Sequence, residues 1–273
     1  MTINCKGNLI DFSSPKVMGI LNITPDSFYD GGLYQNEKEI LLQTEKMLSE
    51  GATFIDVGAY SSRPGAQHIS ENEELERITP VVELLVKQFP EIIISIDTFR
   101  SSVAKETIEI GASLINDISG GTLDKKMFEV VASLEVPYIL MHMKGTPQNM
   151  QEKPSYKNVT TELISFFAEQ IFKLQQLQHK DIIIDVGFGF GKDVEHNYQL
   201  LKDLALFKNL EAPILAGISR KSMLYKPLNI LANNALNATT AANTIAILNG
   251  ANILRVHDVK EAVEAIKIVE LLN

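Results

Sequence analysis

Polar side chains fall at regular intervals along this chain of 273 residues, each at or just after a run of aliphatic residues. In order they are Asn22, Asp56, Asp97, Asn116 with Asp117, His142, Asp185, Ser219 and His257. A carboxylate at one such place is most simply a helix cap. A polar group at every one of them is different, because strands lying side by side would bring the whole set to one pocket. Glycine-containing stretches add to it: Asn22-Ile23-Thr24-Pro25-Asp26-Ser27-Phe28 with Asp30-Gly31-Gly32, and Ser61-Ser62-Arg63-Pro64-Gly65. Further on come Gly217-Ile218-Ser219-Arg220-Lys221 and Arg255-Val256-His257. Arg63, Lys221, Arg255 and His257 supply local positive charge, and that constellation suits an anionic group such as a pyrophosphate.

Other chemistries are poorly served. Gly187-Phe188-Gly189-Phe190-Gly191-Lys192 matches neither the dinucleotide nor the Walker pattern. Its glycines suit a sharp turn after a strand, with Phe190 offered to a ligand. No pair of histidines has metal-ligand spacing and Cys5 is the only cysteine, which argues against a structural zinc. The Gly-x-Ser-x-Gly elbow of a serine hydrolase is absent. His68, His179 and His196 lie in polar stretches and read as surface residues.

The elements that must position these groups are short apolar runs at 17–22, 53–57, 92–97, 114–118, 137–141, 182–186, 213–218 and 252–256. Continuous runs suit strands buried on both faces of a parallel sheet. Helical segments alternate with them. Ser70-Glu71-Asn72-Glu73 has the form of a capping box, followed by Leu75, Ile78, Val82 and Leu85 on one face, with Pro80 as a candidate break or kink. Asn36-Glu37-Lys38-Glu39 reads as another N-terminus. Leu163, Ile164, Phe167, Ile171 and Leu174 form a further apolar stripe, and a last helix is expected over 259–272. Eight strand–helix units in this length predict a (β/α)8 TIM barrel, with its active site at the C-terminal ends of the strands and residues 1–273 as one domain. A doubly wound open sheet is the competitor.

Composition narrows the class. Hydrophobic residues make up 45% and charged residues 22%, an ordinary globular balance. The net charge of −9 opposes broad nucleic-acid binding. No apolar run approaches the ~20 residues of a membrane span. The first twelve residues lack a secretory pattern, so a cytoplasmic protein is expected. The loops at 23–36 and 58–69 are long and polar, which predicts segments that close over a ligand.

Taken together, the motifs resemble the dihydropteroate synthase family from about Lys16 onward. The matching stretches are Met18 to Phe28, Ser62-Arg63-Pro64-Gly65, Asp97-Thr98-Phe99-Arg100, Ile115-Asn116-Asp117-Ile118, Met141-His142-Met143, Asp185 to Lys192, Ser219-Arg220-Lys221 and Arg255-Val256-His257-Asp258-Val259. The resemblance implies a (β/α)8 barrel that joins 6-hydroxymethyl-7,8-dihydropterin pyrophosphate to p-aminobenzoate, releasing pyrophosphate. It implies that Asp97, Asn116, Asp185 and Lys221, with Met141, Phe190 and Gly217, hold the pterin. Ser62, Pro64, Phe190, Ser219 and Lys221 would line the p-aminobenzoate site. Asn22, Arg63, Arg255 and His257 would hold pyrophosphate, with Asn22 on a magnesium ion. Asp97, Asp185, Lys221 and Arg63 would carry the catalysis. Inhibition by sulfonamides and a homodimer are implied as well; the apolar helices after Asn237 and Val259 could form such an interface and could equally only cover the barrel.

The chain departs from that pattern at two places. Tyr60 stands where the family commonly has Glu, and Ser62 where Thr is common. Two rivals share the pterin-binding residues: a methyltransferase barrel and a non-catalytic paralogue. The first has no use for Ser62-Arg63-Pro64 or Ser219-Arg220-Lys221. The second would be expected to lose a pyrophosphate or magnesium ligand, yet Asn22, Arg63, Arg255 and His257 are all present.

Overall fold

The computed structural model describes residues 1–23, 32–61, 68–152 and 154–272, with the side chains of 32–36 outside the description. Eight parallel strands close into a barrel: β3 (Lys16–Asn22), β4 (Phe54–Gly58), β5 (Ile94–Asp97), β6 (Leu114–Asp117), β7 (Tyr138–Met141), β8 (Ile182–Asp185), β9 (Ile214–Ala216) and β10 (Ile253–Val256). They pair in chain order, and β10 closes the ring on β3 with Arg255 opposite Met18. Closure excludes the open doubly wound sheet. It also explains the unbroken apolar runs, because one face of each strand packs on the outer helices and the other fills the barrel.

The helices are α1 (Gly32–Ser49), α2 (Glu71–Gln88), α3 (Ser101–Ile110), α4 (Met127–Leu134), α5 (Val159–Gln176), α6 (Val194–Asp203), α7 (Ser222–Tyr225), α8 (Leu236–Leu248) and α9 (Val259–Glu270). Ser70 caps α2, its side chain accepting from the Glu73 N–H, and Ile78, Val82 and Leu85 are buried beneath. Pro80 lies inside α2 without ending it, on an exposed position where water can serve the carbonyl left without its usual donor. α1 starts four residues before Asn36. No breaker separates Gly32 from Asn36, and each added turn costs little once a helix is nucleated.

One feature of the N-terminus carried no expectation. β1 (Thr2–Cys5) and β2 (Asn8–Asp11) form an antiparallel hairpin, turning at Lys6 and Gly7, both with positive φ. Ile3, Cys5 and Phe12 pack on Met18, Phe54, Leu114, Ile139, Ile183, Leu215 and Ile253. Those residues come from the early parts of seven barrel strands, so the hairpin plugs the N-terminal end. The Cys5 thiol, buried there, is pushed up to about 12 by desolvation and remains protonated. With one end closed, the pocket opens at the other end, where the polar residues lie.

Candidate active site

Arg255, on β10, is the hub of the pocket floor. Its Nε donates to Asp56 Oδ2 at 2.6 Å and its Nη2 to Asp97 Oδ2 at 2.7 Å. Asp56 is buried and also accepts from Asn116 Nδ2 at 3.1 Å. That bond orients the Asn116 amide. Its Oδ1 is buried with no hydrogen-bond partner among the described residues. An unmet buried acceptor is costly unless a donor arrives. Burial pushes the Asp97 carboxyl up to about 7, with Arg255 pulling it back and Asp56 adding to the rise.

Asp185 ends β8 and accepts from the Gly187 N–H at 2.8 Å. Burial raises its pKa, opposed chiefly by the charge of Lys221. Gly217 follows β9. A Cβ there would lie 3.7 Å from Lys221 Nζ, 3.8 Å from Asp185 Oδ2 and 3.9 Å from Arg255 Cβ. The three charged groups thus surround a space that glycine leaves open.

Lys221 is the N-cap of the short helix α7, yet it does not reach into solvent. Its Nζ donates to the Phe188 carbonyl at 2.6 Å and lies 4.7 Å from the centroid of the Phe190 ring. Burial lowers its pKa to about 8, against the pull of Asp185. Arg220 between Ser219 and Lys221 has φ of 55° and turns its guanidinium onto Asp258, with bonds of 2.9 and 2.7 Å. Ser219 Oγ lies 3.0 Å from His257 Nδ1, so residues expected in two different subsites share one contact.

The turn after β8 has Gly187, Gly189 and Gly191 at φ of 66°, 81° and 61°. A Cβ on Gly187 would come within 2.1 Å of the His142 carbonyl. Phe190 is half-buried and packs with Phe99 against Ile118, Met141, Met143 and Met150. Met141, expected beside the pterin, is part of that apolar wall.

This geometry belongs to a known group. The chain matches the family described as pterin binding enzyme over residues 18–257. It is 44% identical over 272 residues to dihydropteroate synthase of Escherichia coli K12, covering 99% of this chain and 96% of that one. The solved structure of Yersinia pestis dihydropteroate synthase with a sulfonamide drug complex superposes with a TM-score of 0.93, at 44% identity, covering 100% of this chain and 99% of that chain. Dihydropteroate synthase of Xanthomonas albilineans with 4-aminobenzoic acid gives a TM-score of 0.92 at 36% identity, covering 99% and 97%. The chain belongs to the pterin binding enzyme family.

Within this member of the family, Asp97, Asn116, Asp185, Gly217, Lys221 and Arg255 meet at one end of the barrel. Asn22 ends β3 opposite Gly58, where a Cβ would lie 3.3 Å from Asp97 Cβ. Ser62, Arg63 and Pro64 lie outside the described residues, as do 24–31 in the first loop and 62–67 in the second. Asp117 does not face the site; it accepts from Tyr138 Oη, Ser119 N and Gly121 N and fixes a turn. His179 is buried, not a surface residue, because it follows α5 directly and folds back under it, its N–H bonded to the Leu174 carbonyl.

Two polar residues at the site had no role assigned from the sequence. Asp56 is the common acceptor for Arg255 and Asn116. Lys192 is buried, and its Nζ donates to the carbonyls of His142 at 3.1 Å, Gly187 at 3.0 Å and Phe190 at 2.9 Å. His142 Nδ1 lies 3.1 Å from the same ammonium. Burial drives Lys192 down to about 7, and burial together with Lys192 drives His142 down to about 2. The imidazole is therefore neutral, and the three N–H donors of Lys192 are shared among the three carbonyls and this ring nitrogen. In the sequence Lys192 only closes the Gly187-Phe188-Gly189-Phe190-Gly191 stretch, with no sign that its ammonium turns back into it.

Magnesium can be tested against this donor set. Among the described residues, no group of three or more His, Cys, Asp or Glu could hold a metal ion. Asn22 offers an amide oxygen. A hard ion that keeps its waters and takes its other ligands from a pyrophosphate fits that single donor.

Proposed function

We propose that this chain is a dihydropteroate synthase, a transferase joining 6-hydroxymethyl-7,8-dihydropterin pyrophosphate to p-aminobenzoate with loss of pyrophosphate. The observation that carries the reading is the acceptor array at the strand ends, with Asp97 and Asn116 on the paired strands β5 and β6 and Asp185 two strands further on, on β8. Asp97, the unmet Asn116 Oδ1 and Asp185 present oxygens to one space. The amino and ring N–H edge of a pterin supplies donors to such a row. Lys221 has N–H donors beyond the one given to Phe188, and these reach toward a pterin acceptor.

The reaction breaks the bond from the pterin methylene to pyrophosphate oxygen and forms one to the arylamine nitrogen, which gives up a proton. An arylamine is a weak nucleophile, so charge on the methylene develops early. Asp97 and Asp185 stabilise that charge through the ring's N–H groups, and the enclosed barrel mouth makes those interactions strong. Phe190 stacks beside the incoming benzoate ring while the alkyl stem of Lys221 packs along it. Ser219 and His257 form the polar rim of that side. Arg63, Arg255 and His257 hold the pyrophosphate, and Asn22 would hold magnesium. When bound, that ion offsets negative charge on the leaving group.

A homodimer in the cytoplasm belongs to the same reading. Ile245 and Leu248 on α8, and Ile268, Leu271 and Leu272 on and after α9, are exposed on neighbouring helices. Covering this apolar face with a second copy explains it, and light scattering coupled to gel filtration tests it. No helix among the described residues is long and apolar enough to cross a membrane. The decisive experiment mixes purified protein, magnesium, the pterin pyrophosphate and p-aminobenzoate. Formation of 7,8-dihydropteroate is expected, and its absence overturns the assignment.

A further inference from the structure

Tyr60 adds polar ties between loops that follow different barrel strands. It lies two residues beyond β4 and is buried. Its ring meets Phe99 edge-on with centroids 5.0 Å apart, and the Arg100 guanidinium lies 5.5 Å from its centroid. Arg100 is itself fixed, bonded to buried Glu74 and to the carbonyls of Ile69 and Ser70. The Tyr60 ring therefore rests on a rigid base. Its hydroxyl faces the segment after β7, accepting from Gln148 Nε2 at 2.8 Å and standing 3.2 Å from His68 Nδ1.

Three residues along, Gln151 Nε2 donates to the Gly189 carbonyl at 2.6 Å. Met143 and Met150 of the same segment pack in the cluster that holds Phe99 and Phe190. Residues 142–152 thus form a strap, pinned at Gln148 to Tyr60 and at Gln151 to the turn that carries Phe190. We propose that Tyr60 is a positioning residue for the arylamine subsite. Its hydroxyl holds the strap, and the strap holds the Gly189–Phe190 turn in place. A tyrosine suits this role because one hydroxyl can accept from Gln148 and also pair with His68. A carboxylate at the same position accepts only, and has no ring to set on Phe99 and Arg100.

The proposal rests on the reading that Phe190 lines the p-aminobenzoate pocket, so its test has one readout independent of turnover. Tyr60→Phe keeps the ring and deletes the hydroxyl; Gln148→Ala removes the exposed partner. Amide hydrogen exchange is followed over 144–151 and 188–190, alongside the KM for each substrate and thermal melts. Tyr60→Phe should speed exchange in both segments. It should raise the KM for p-aminobenzoate about fivefold, the effect of one ordinary hydrogen bond, and leave that for the pterin pyrophosphate nearly unchanged. Gln148→Ala should act in the same direction, and the double variant should add nothing to Tyr60→Phe, since both break the same Tyr60–Gln148 bond. Unchanged exchange at 188–190, or additive effects in the double variant, would overturn the proposal. So would equal rises in both KM values. Wild-type protein that makes no dihydropteroate would instead defeat the functional reading, and the exchange data alone would then decide the coupling.

Discussion

Arg255 and Asp97, 158 residues apart in the chain, are joined by a 2.7 Å ion pair at the centre of the pocket. The pair keeps a carboxylate available where burial alone would neutralise it. Asp97 is held at about 7 and Lys221 at about 8. Pterin binding calls for an ionised Asp97 and a protonated Lys221. Affinity for the pterin should therefore rise as pH passes upward through 7 and fall again above 8, a narrow bell. Calorimetry across about pH 5 to 10 checks it, the bounds being about two pH units outside the two groups. Asp97→Asn should remove the acid limb and Lys221→Met the alkaline one; a bell surviving in both variants would disprove the assignment.

Asp185 accepts from the Gly187 N–H and faces Lys221 across the space left by Gly217. Replacing it with asparagine removes the charge that a cationic pterin centre would meet. Asp185→Asn should weaken pterin binding by about 2–4 kcal/mol, the range for a buried charged hydrogen bond. An unchanged calorimetric affinity would place the pterin elsewhere.

Two glycines make opposite predictions. Gly217 has room for a methyl group, with nearest atoms at 3.7–3.9 Å, so Gly217→Ala should fold normally. Its methyl would occupy the space between Lys221, Asp185 and Arg255, and pterin affinity should drop about tenfold through misplacement of the ring. Gly187 has a positive φ, and its added Cβ would meet the His142 carbonyl at 2.1 Å. Gly187→Ala should lower the melting temperature before any question of binding arises. Equal melts for the two variants would contradict this distinction.

His142 links the pocket to stability. It is neutral in the fold at about 2, against 6.5 when unfolded. As pH falls below 6.5 the unfolded chain takes up a proton that the folded one refuses, so stability is lost progressively on acidification. By pH 5 the loss is about 2 kcal/mol. His142→Asn keeps an acceptor near Lys192 but cannot titrate, so it should lack this decrement. Urea unfolding at pH 7.5 and 5 measures it, and the same decrement in both proteins would refute it.

The barrel was legible in the sequence for a physical reason: a strand buried on both faces is mostly aliphatic until near its end. The same rule exposed the site, since Asn22, Asp97, Asn116 and Asp185 lie at strand ends. It did not reveal the N-terminal hairpin, whose four-residue strands bury Ile3 and Cys5, with Ile10 half-buried beside them, and so show little pattern. Lys192 escaped because a lysine after glycines reads as a solvated loop, and only the fold shows three carbonyls and an imidazole converging on it. Asp56 lies one residue before the end of its apolar run, and its use as an anchor for Arg255 depends on a partner 199 positions away. His179 was misplaced because a polar local context says nothing about what packs over it.

Lys221 stands between Asp185 and the Phe190 ring. A lysine at a helix N-terminus is unfavourable to the macrodipole, and Arg220 beside it repeats the problem. The structure resolves both. Arg220 is neutralised by Asp258, and Lys221 turns away from α7 to Phe188 and Phe190. Its charge acts on Asp185 and its ammonium stands over the Phe190 ring, the sides that the proposed function gives to the pterin and to the arylamine. Lys221→Ala should therefore leave the thermal melt close to wild type and lower kcat/KM for both substrates, by about a hundredfold if one charged contact is lost on each side. Lys221→Arg should rescue poorly, because a planar guanidinium cannot occupy the compact position 2.6 Å from the Phe188 carbonyl while also stacking on Phe190. Steady-state kinetics on both variants decide the matter. Turnover near wild type for Lys221→Ala, or a loss confined to one substrate, would remove the link between the two subsites.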